Sequence, residues 1–260
     1  MLLTIDIGNS NIVLGFFIGK HLKRVVRMES SLDLNVSAYY KRLKKIFNRY
    51  KISVTDIHSI MAASVVPKLS KIFYAAVKKN IKASFLEVNR KLHTGITLEV
   101  DKPAQVGADR IVNAAAISHI NKQSSIIVDF GTATTFDCIL SGGVYIGGVI
   151  APGPDISAKA LHAYTAQLPL VKIRKISKII GKNTVACMQS GLYYGYKGLI
   201  TEILTNLKNN MPSNVQVYAT GGLGEFWAGQ VPGIQKVYPH LTLEGLRVLW
   251  DYNVERRITR

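Results

Sequence analysis

Three aspartates stand where a carboxylate could do chemistry. Asp6 follows the apolar run Leu2-Leu3-Thr4-Ile5 and leads through Ile7 into Gly8-Asn9-Ser10-Asn11. A second apolar run, Ile12-Val13-Leu14-Gly15-Phe16-Phe17, comes next, so the stretch reads as two strands joined by a tight turn. Gly8 lets the backbone turn where a side chain would clash. Asn9, Ser10 and Asn11 place side-chain donors beside exposed backbone N–H groups. A turn of this kind can cradle a phosphate, and a carboxylate at the strand end can reach a cation attached to it. The same residues also make an ordinary hairpin turn.

The arrangement returns in Ile126-Ile127-Val128-Asp129-Phe130-Gly131-Thr132-Ala133-Thr134-Thr135, with Asp129 lying 123 residues after Asp6 in a chain of 260. Recurrence at almost half the chain length indicates two copies of one unit. Two such turns facing each other would line a cleft with carboxylates and hydroxyls on both walls. The third aspartate lies in Lys102-Pro103-Ala104-Gln105-Val106-Gly107-Ala108-Asp109-Arg110. Pro103 and Gly107 mark a loop, and a helix begins near Gly107 or Ala108. That places Asp109 and Arg110 in the first turn. A carboxylate there is favoured by the helix dipole alone. It is also suited to the mouth of a cleft, where the neighbouring guanidinium could grip an anionic substrate group bidentately.

The elements around these residues follow from periodicity. Leu22 to Met28 reads as a third strand. Asn35 to Tyr50 reads as a helix, with Val36, Tyr39, Tyr40, Leu43, Ile46, Phe47 and Tyr50 on one stripe. Ile57 to Val66 reads as a buried strand, Pro67 opens a helix to about Lys79, and Ala83 to Val88 is another strand. Three strands, helix, strand, helix, strand is the order of a ribonuclease-H-like half. The second half repeats the hairpin over Ser125 to Ile150. The glycines and prolines from Gly147 to Pro154 read as a loop, followed by a helix from Asp155 to Leu168. A long helix, Val185 to Asn209, is capped by Thr184 and carries Gly191, Gly195 and Gly198, spaced for tight packing within the chain or across a dimer. Strand Val215 to Thr220 leads into Gly221-Gly222. The last helix opens at Leu241, and the halves are expected to meet around 115 to 124.

Composition limits the function classes. With 48% hydrophobic and 19% charged residues the chain can build packed cores. Lys and Arg number 33 against 16 Asp and Glu, a net charge of +17. The basic residues are scattered through Lys20 to Arg27, Lys41 to Lys51, Lys68 to Lys82, Lys172 to Lys182 and Arg256 to Arg260, and none of these stretches is interleaved with exposed-looking aromatics in a recognised binding module, so solvated surface is expected rather than a nucleic-acid partner. Cys138 and Cys187 have no metal-ligand spacing and are expected to be small buried residues. No apolar run reaches the roughly 20 residues that span a bilayer, and no signal peptide is visible, so a soluble, cytoplasmic protein without a membrane partner is expected.

Asp6-Ile7-Gly8-Asn9-Ser10, Ser64-Val65-Val66-Pro67, Gly107-Ala108-Asp109-Arg110, Asp129-Phe130-Gly131-Thr132-Ala133-Thr134-Thr135, Gly181-Lys182-Asn183-Thr184, Thr220-Gly221-Gly222 and Leu241-Thr242-Leu243-Glu244-Gly245-Leu246 occur in the order seen in type III pantothenate kinases. The chain resembles that family over its whole length. The resemblance implies an α/β fold of two ribonuclease-H-like, actin-like ATPase domains with a cleft between them, spanning 1–117 and 118–260, the last helix packing back on the first domain. It implies a homodimer that phosphorylates pantothenate with ATP, with Mg²⁺ and a monovalent cation, K⁺ or NH₄⁺. By residue, it implies that Asp6, Ile7, Gly8, Asn9, Ser10, Asn11, Ile12 and Val13 hold ATP phosphates and Mg²⁺, and that Thr132 contacts ATP. Asp109 would be the general base, Asp129 would bind the monovalent cation, and Gly107, Ala108, Arg110 and Thr184 would contact pantothenate, Thr184 from the other subunit. Val100 and Lys102 stand where family members commonly carry a substrate-contacting Tyr and an Asn, which puts the contact at Val100 in question. The same family pattern includes proteins described as accessory factors for transcription, which is the alternative reading.

Overall fold

The computed structural model describes residues 1–258, with side chains to 254, so the basic stretch Arg256 to Arg260 lies outside the described side chains. The chain forms two compact units. One comprises 1–96, 101–120 and the segment from 241 on; the other comprises 97–100 and 121–240.

The first unit is built on an antiparallel meander, β1 (Leu2–Ile7), β2 (Asn11–Ile18) and β3 (His21–Glu29). Helix α1 (Val36–Tyr50) follows, then β4 (Ser59–Ser64), α2 (Pro67–Asn80) and β5 (Ser84–Glu87). Strand β4 is parallel to β1 and β5 to β4, giving the sheet order β3-β2-β1-β4-β5. Both faces are covered, which is why β1 reads as a nearly continuous apolar run. Leu3, Ile5 and Ile7 pack with Tyr39, Leu43 and Phe47 of α1 and Leu69 and Phe73 of α2. Each buried side chain of this kind stabilises the fold by roughly 1.5–3 kcal/mol. Asn35 caps α1 through its side-chain oxygen, which accepts from Ala38 N at 3.0 Å.

Leu2 faces the other way. With Phe17, Met61 and Ala63 it meets Val112 and Ala115 of α3 (Ala108–Ile120) and Leu243, Leu246 and Leu249 of α7 (Leu241–Ile258). Helices α3 and α7 touch closely, because Gly245 replaces a side chain whose Cβ would stand 2.4 Å from the Val112 carbonyl. The last helix thus belongs to the first unit.

The second unit repeats the plan. A short strand β6 (Thr97–Leu98) precedes β7 (Ser125–Phe130), β8 (Ala133–Leu140) and β9 (Val144–Pro152), another antiparallel meander. Then come α4 (Pro154–Ala163), α5 (Thr184–Asn209), β10 (Gln216–Thr220), α6 (Gly224–Ala228) and β11 (Lys236–Val237). The order is β11-β10-β7-β8-β9-β6, so β9-β8-β7-β10-β11 reproduces the arrangement of the first sheet. Its core joins Ile126, Val128, Phe130 and Phe136 to Tyr193, Tyr196 and Ile200 of α5 and to Trp227.

Several local expectations are corrected. The glycines after Tyr145 do not form a loop: β9 continues to Pro152, and Gly147, at φ +115°, accommodates an irregularity where the register with β8 shifts. Helix α4 stops at Ala163 rather than Leu168. The cap of α5 is Asn183, accepting from Ala186 N at 2.9 Å, and Thr184 is the first helical residue. Cys138 is buried as expected, but Cys187 is exposed. It lies on the outward side of α5 with Gly191, Gly195 and Gly198, and among the described residues a Cβ at any of those glycines would meet nothing within 4 Å. Those glycines therefore serve no packing among the described residues. Among the described residues no helix is long and apolar enough to cross a membrane.

Candidate active site

In the first unit the strand ends position a tight turn. The N–H of Gly8 donates to the Asn11 carbonyl at 2.9 Å, closing Gly8-Asn9-Ser10-Asn11 between β1 and β2. The loop after β3 grips this turn from one side. Ser30 Oγ donates to the Gly8 carbonyl at 2.7 Å, and the Ser30 N–H donates to the Ser10 carbonyl at 3.0 Å. Nothing in residue spacing marks Ser30 as part of the site, since Glu29-Ser30-Ser31 reads only as a polar loop. A pocket of about 430 Å³ opens beside the turn, walled by Asn9, Glu29, Ser30, Asp33, Arg42 and Val66 among others. It lies at the carboxyl ends of β1 and β4, where parallel strands commonly present ligand sites.

Asp6 pairs with Val13 on one side and Ala63 on the other. By strand alternation it shares a sheet face with Leu2 and Thr4, the face covered by α3 and α7. Ala108, at the start of α3, packs into the same cluster. The structure therefore brings Asp6 and the Gly107 to Arg110 stretch to one face of one sheet. Asp109 accepts from the Arg110 N–H at 2.8 Å. Burial raises its carboxyl above the usual Asp range, and the Arg110 N–H and guanidinium oppose that rise only in part. A carboxylate so placed holds a proton more tightly than an exposed one, which suits a general base. At Gly107 a Cβ would stand 2.5 Å from an Asp109 carboxylate oxygen, so a larger residue there would displace that carboxylate.

The second unit carries the other predicted residues. Asp129, near the end of β7, lies between Thr135 of β8 and Thr220 of β10 in the ladder. Gly131 N–H donates to the Ala133 carbonyl, and Gly153 N–H donates to the Thr132 carbonyl at 3.1 Å, so the end of β9 buttresses the turn holding Thr132. Gly221, at φ +87°, lets the chain pass so close that a Cβ would fall 2.5 Å from Asp129 Oδ1 and 2.7 Å from Phe130 main-chain atoms. Behind the turn Thr134 and Tyr196 share a short hydroxyl–hydroxyl hydrogen bond. Burial pushes the Tyr196 phenol up to about 12; the Thr134 bond opposes this, and the Asp129 and Asp155 carboxylates add to it. Thr184 is exposed at the first position of α5, and Val100 lies against Gly147. The predicted residues thus divide, with Asp6 to Val13 and Gly107 to Arg110 in the first unit and Val100, Asp129, Thr132 and Thr184 in the second.

Two acidic turns on duplicated mixed sheets are the framework of the actin-like ATPases and sugar kinases, and solved structures agree. A Campylobacter jejuni protein described as a Baf family transcriptional activator has a TM-score of 0.59 at 20% identity, covering 97% of this chain and 99% of that one. MreB 5 of Spiroplasma citri, bound to AMPPNP, has a TM-score of 0.52 at 12% identity, covering 99% and 98%. At those identities the likeness establishes the fold. Sequence comparison goes further: a family model for type III pantothenate kinase matches residues 2–206. A type III pantothenate kinase from Moorella thermoacetica is 41% identical over 97% of this chain and 100% of its own length. The chain belongs to the type III pantothenate kinase family.

Proposed function

We propose that this protein transfers the γ-phosphoryl group of ATP to the primary hydroxyl of pantothenate, the first step towards coenzyme A. The observation that carries the reading is Asp109: a carboxylate at the start of α3, its proton affinity raised by burial, in a chain of this family. Asp109 takes the hydroxyl proton, and Gly107, Ala108 and Arg110 line the pantothenate site, with Arg110 suited to an anionic group. Asp6 and the turn through Val13 hold the ATP phosphates, and Thr132 contacts ATP. Phosphoryl transfer asks for position and charge neutralisation more than covalent help, and these residues supply both.

The donor chemistry fits the implied cations. Asp6 and Ser10 offer hard oxygen ligands suited to Mg²⁺ with ATP, and Asp129 offers a carboxylate to K⁺ or NH₄⁺. When bound, such cations neutralise charge on the transferring phosphate. A homodimer belongs to the same reading. The outward face of α5 leaves open space beside Gly191, Gly195 and Gly198, which would let a second copy of this helix approach closely, and Val185, Ile179 and Ile180 expose further apolar surface nearby in sequence. Thr184 would then contact pantothenate in the partner's site. The transcriptional alternative is not favoured, since Asp6, Asp109 and Asp129 are all retained.

The test is direct. Purified protein with ATP, Mg²⁺ and pantothenate should release phosphopantothenate when K⁺ is present and little without it. No product under either condition would refute the reading.

A further inference from the structure

The structure assigns Ser30 a positioning role: it sets the peptide planes of the Asp6 turn so that the turn presents N–H groups, and not carbonyls, to phosphate. This rests on the proposed role of the turn and adds a residue outside it.

A trans peptide holds its C=O and N–H on opposite sides of the chain. Fixing where one points therefore fixes the other. Ser30 Oγ donates to the Gly8 carbonyl at 2.7 Å, which orients the peptide carrying the Asn9 N–H. The Ser30 N–H donates to the Ser10 carbonyl at 3.0 Å, which orients the peptide carrying the Asn11 N–H. Both carbonyls are drawn towards the loop after β3, so the N–H groups of Asn9 and Asn11 are turned away from it. The Gly8 N–H is already committed across the turn to the Asn11 carbonyl at 2.9 Å. Without the clip, either peptide could flip and set a carbonyl oxygen against a phosphate oxygen, a like-charged contact that weakens binding.

The clip is itself held. Glu29, the neighbour of Ser30, pairs with Asn11 at the end of the β2–β3 ladder, so Ser30 leaves that ladder directly opposite the turn. Ser31 is fixed through its N–H to Tyr39 Oη at 3.0 Å, and the same hydroxyl donates back to the Ser31 carbonyl at 2.8 Å. Tyr39 is fully buried in the core of α1. A rigid helix thus sets a loop, the loop sets a serine, and the serine sets the turn.

The experiment compares the wild type with Ser30→Ala, which removes the Oγ bond, and Ser30→Thr, which keeps a hydroxyl. One hydrogen bond contributes about 0.5–1.5 kcal/mol, or roughly 2- to 12-fold in affinity. Ser30→Ala should raise the KM and Kd for ATP by that factor while KM for pantothenate stays within twofold. With ATP bound, amide exchange at Asn9 should quicken, and Ser30→Thr should recover most of the affinity. A purely structural role would lower Tm and affect both substrates alike, and would overturn the assignment. So would unchanged ATP affinity in Ser30→Ala when the wild type phosphorylates pantothenate. A wild type that neither binds ATP nor forms product would overturn the kinase reading and the clip together.

Discussion

Substituting Gly221 with alanine would probe how the second acidic turn is built. Two costs can be read from the structure. At φ +87° an alanine sits in the left-handed region, which costs roughly 1–2 kcal/mol. Its Cβ would also stand 2.7 Å from Phe130 main-chain atoms and 2.5 Å from Asp129 Oδ1. Overpacking of this kind costs roughly 1–3 kcal/mol. Together they amount to about 2–5 kcal/mol, or a fall of roughly 4–10 °C in Tm for a chain of this size. The Phe130 backbone is locked in the β7 ladder, so the Asp129 carboxylate is the group that gives way. The half-saturating K⁺ concentration should therefore rise as well. Gly19→Ala is the control, since Gly19 has φ +56° and open space around its Cβ. It should show the conformational cost alone, roughly 1–2 kcal/mol. Thermal melts and K⁺ titrations on both variants decide the matter. A Gly221→Ala protein that melts with Gly19→Ala and keeps its K⁺ response would show the close approach to be wrong.

Asp109→Asn should lower kcat by about 10²- to 10⁴-fold, the usual contribution of a general base, with ATP binding intact by calorimetry. Because burial raises the Asp109 carboxyl, the acid limb of kcat should bend at a higher pH than an ordinary aspartate gives, and Asp109→Asn should lose that limb. A folded-state pKa above the unfolded one means that folding favours the protonated form, and this contribution disappears as pH rises through the folded value. At neutral pH Asp109→Asn should therefore melt no lower than wild type. Gly195→Leu tests the outward face of α5. Helix propensity alone would make it neutral or stabilising, so a shift to monomer in light scattering supports the homodimer face, and a persistent dimer places the interface elsewhere.

The parts that were legible in the sequence are those governed by local rules. The Asp6 and Asp129 hairpins, the apolar stripe of α1 and the proline at the start of α2 follow from alternation, periodicity and the fixed φ of proline. The illegible parts depend on distant neighbours. Gly147 reads as loop because glycine usually marks one, yet a register shift beside β8 uses it inside a strand. Thr184 reads as a cap because hydroxyls cap helices, but Asn183 stands one residue earlier with a side chain equally suited to the task. Ser30 is illegible because its side chain reaches Gly8, 22 positions away. Asp109 could be placed at a helix start from sequence, but the rise in its proton affinity required knowing that it is buried.

The allotment of α7 to the first unit has a consequence for synthesis on the ribosome. The cluster around Leu2, Phe17 and Val112 lacks Leu243, Leu246 and Leu249 until residues past 240 have been made. The second unit, whose residues end at 240, is complete in covalent terms before the first one is. The usual order, in which the amino-terminal part matures while the rest is still being translated, therefore does not extend to the α3–α7 face of the first unit. A chain ending at residue 240 and released from the ribosome should protect 121–240 from protease and leave α3 open to cleavage.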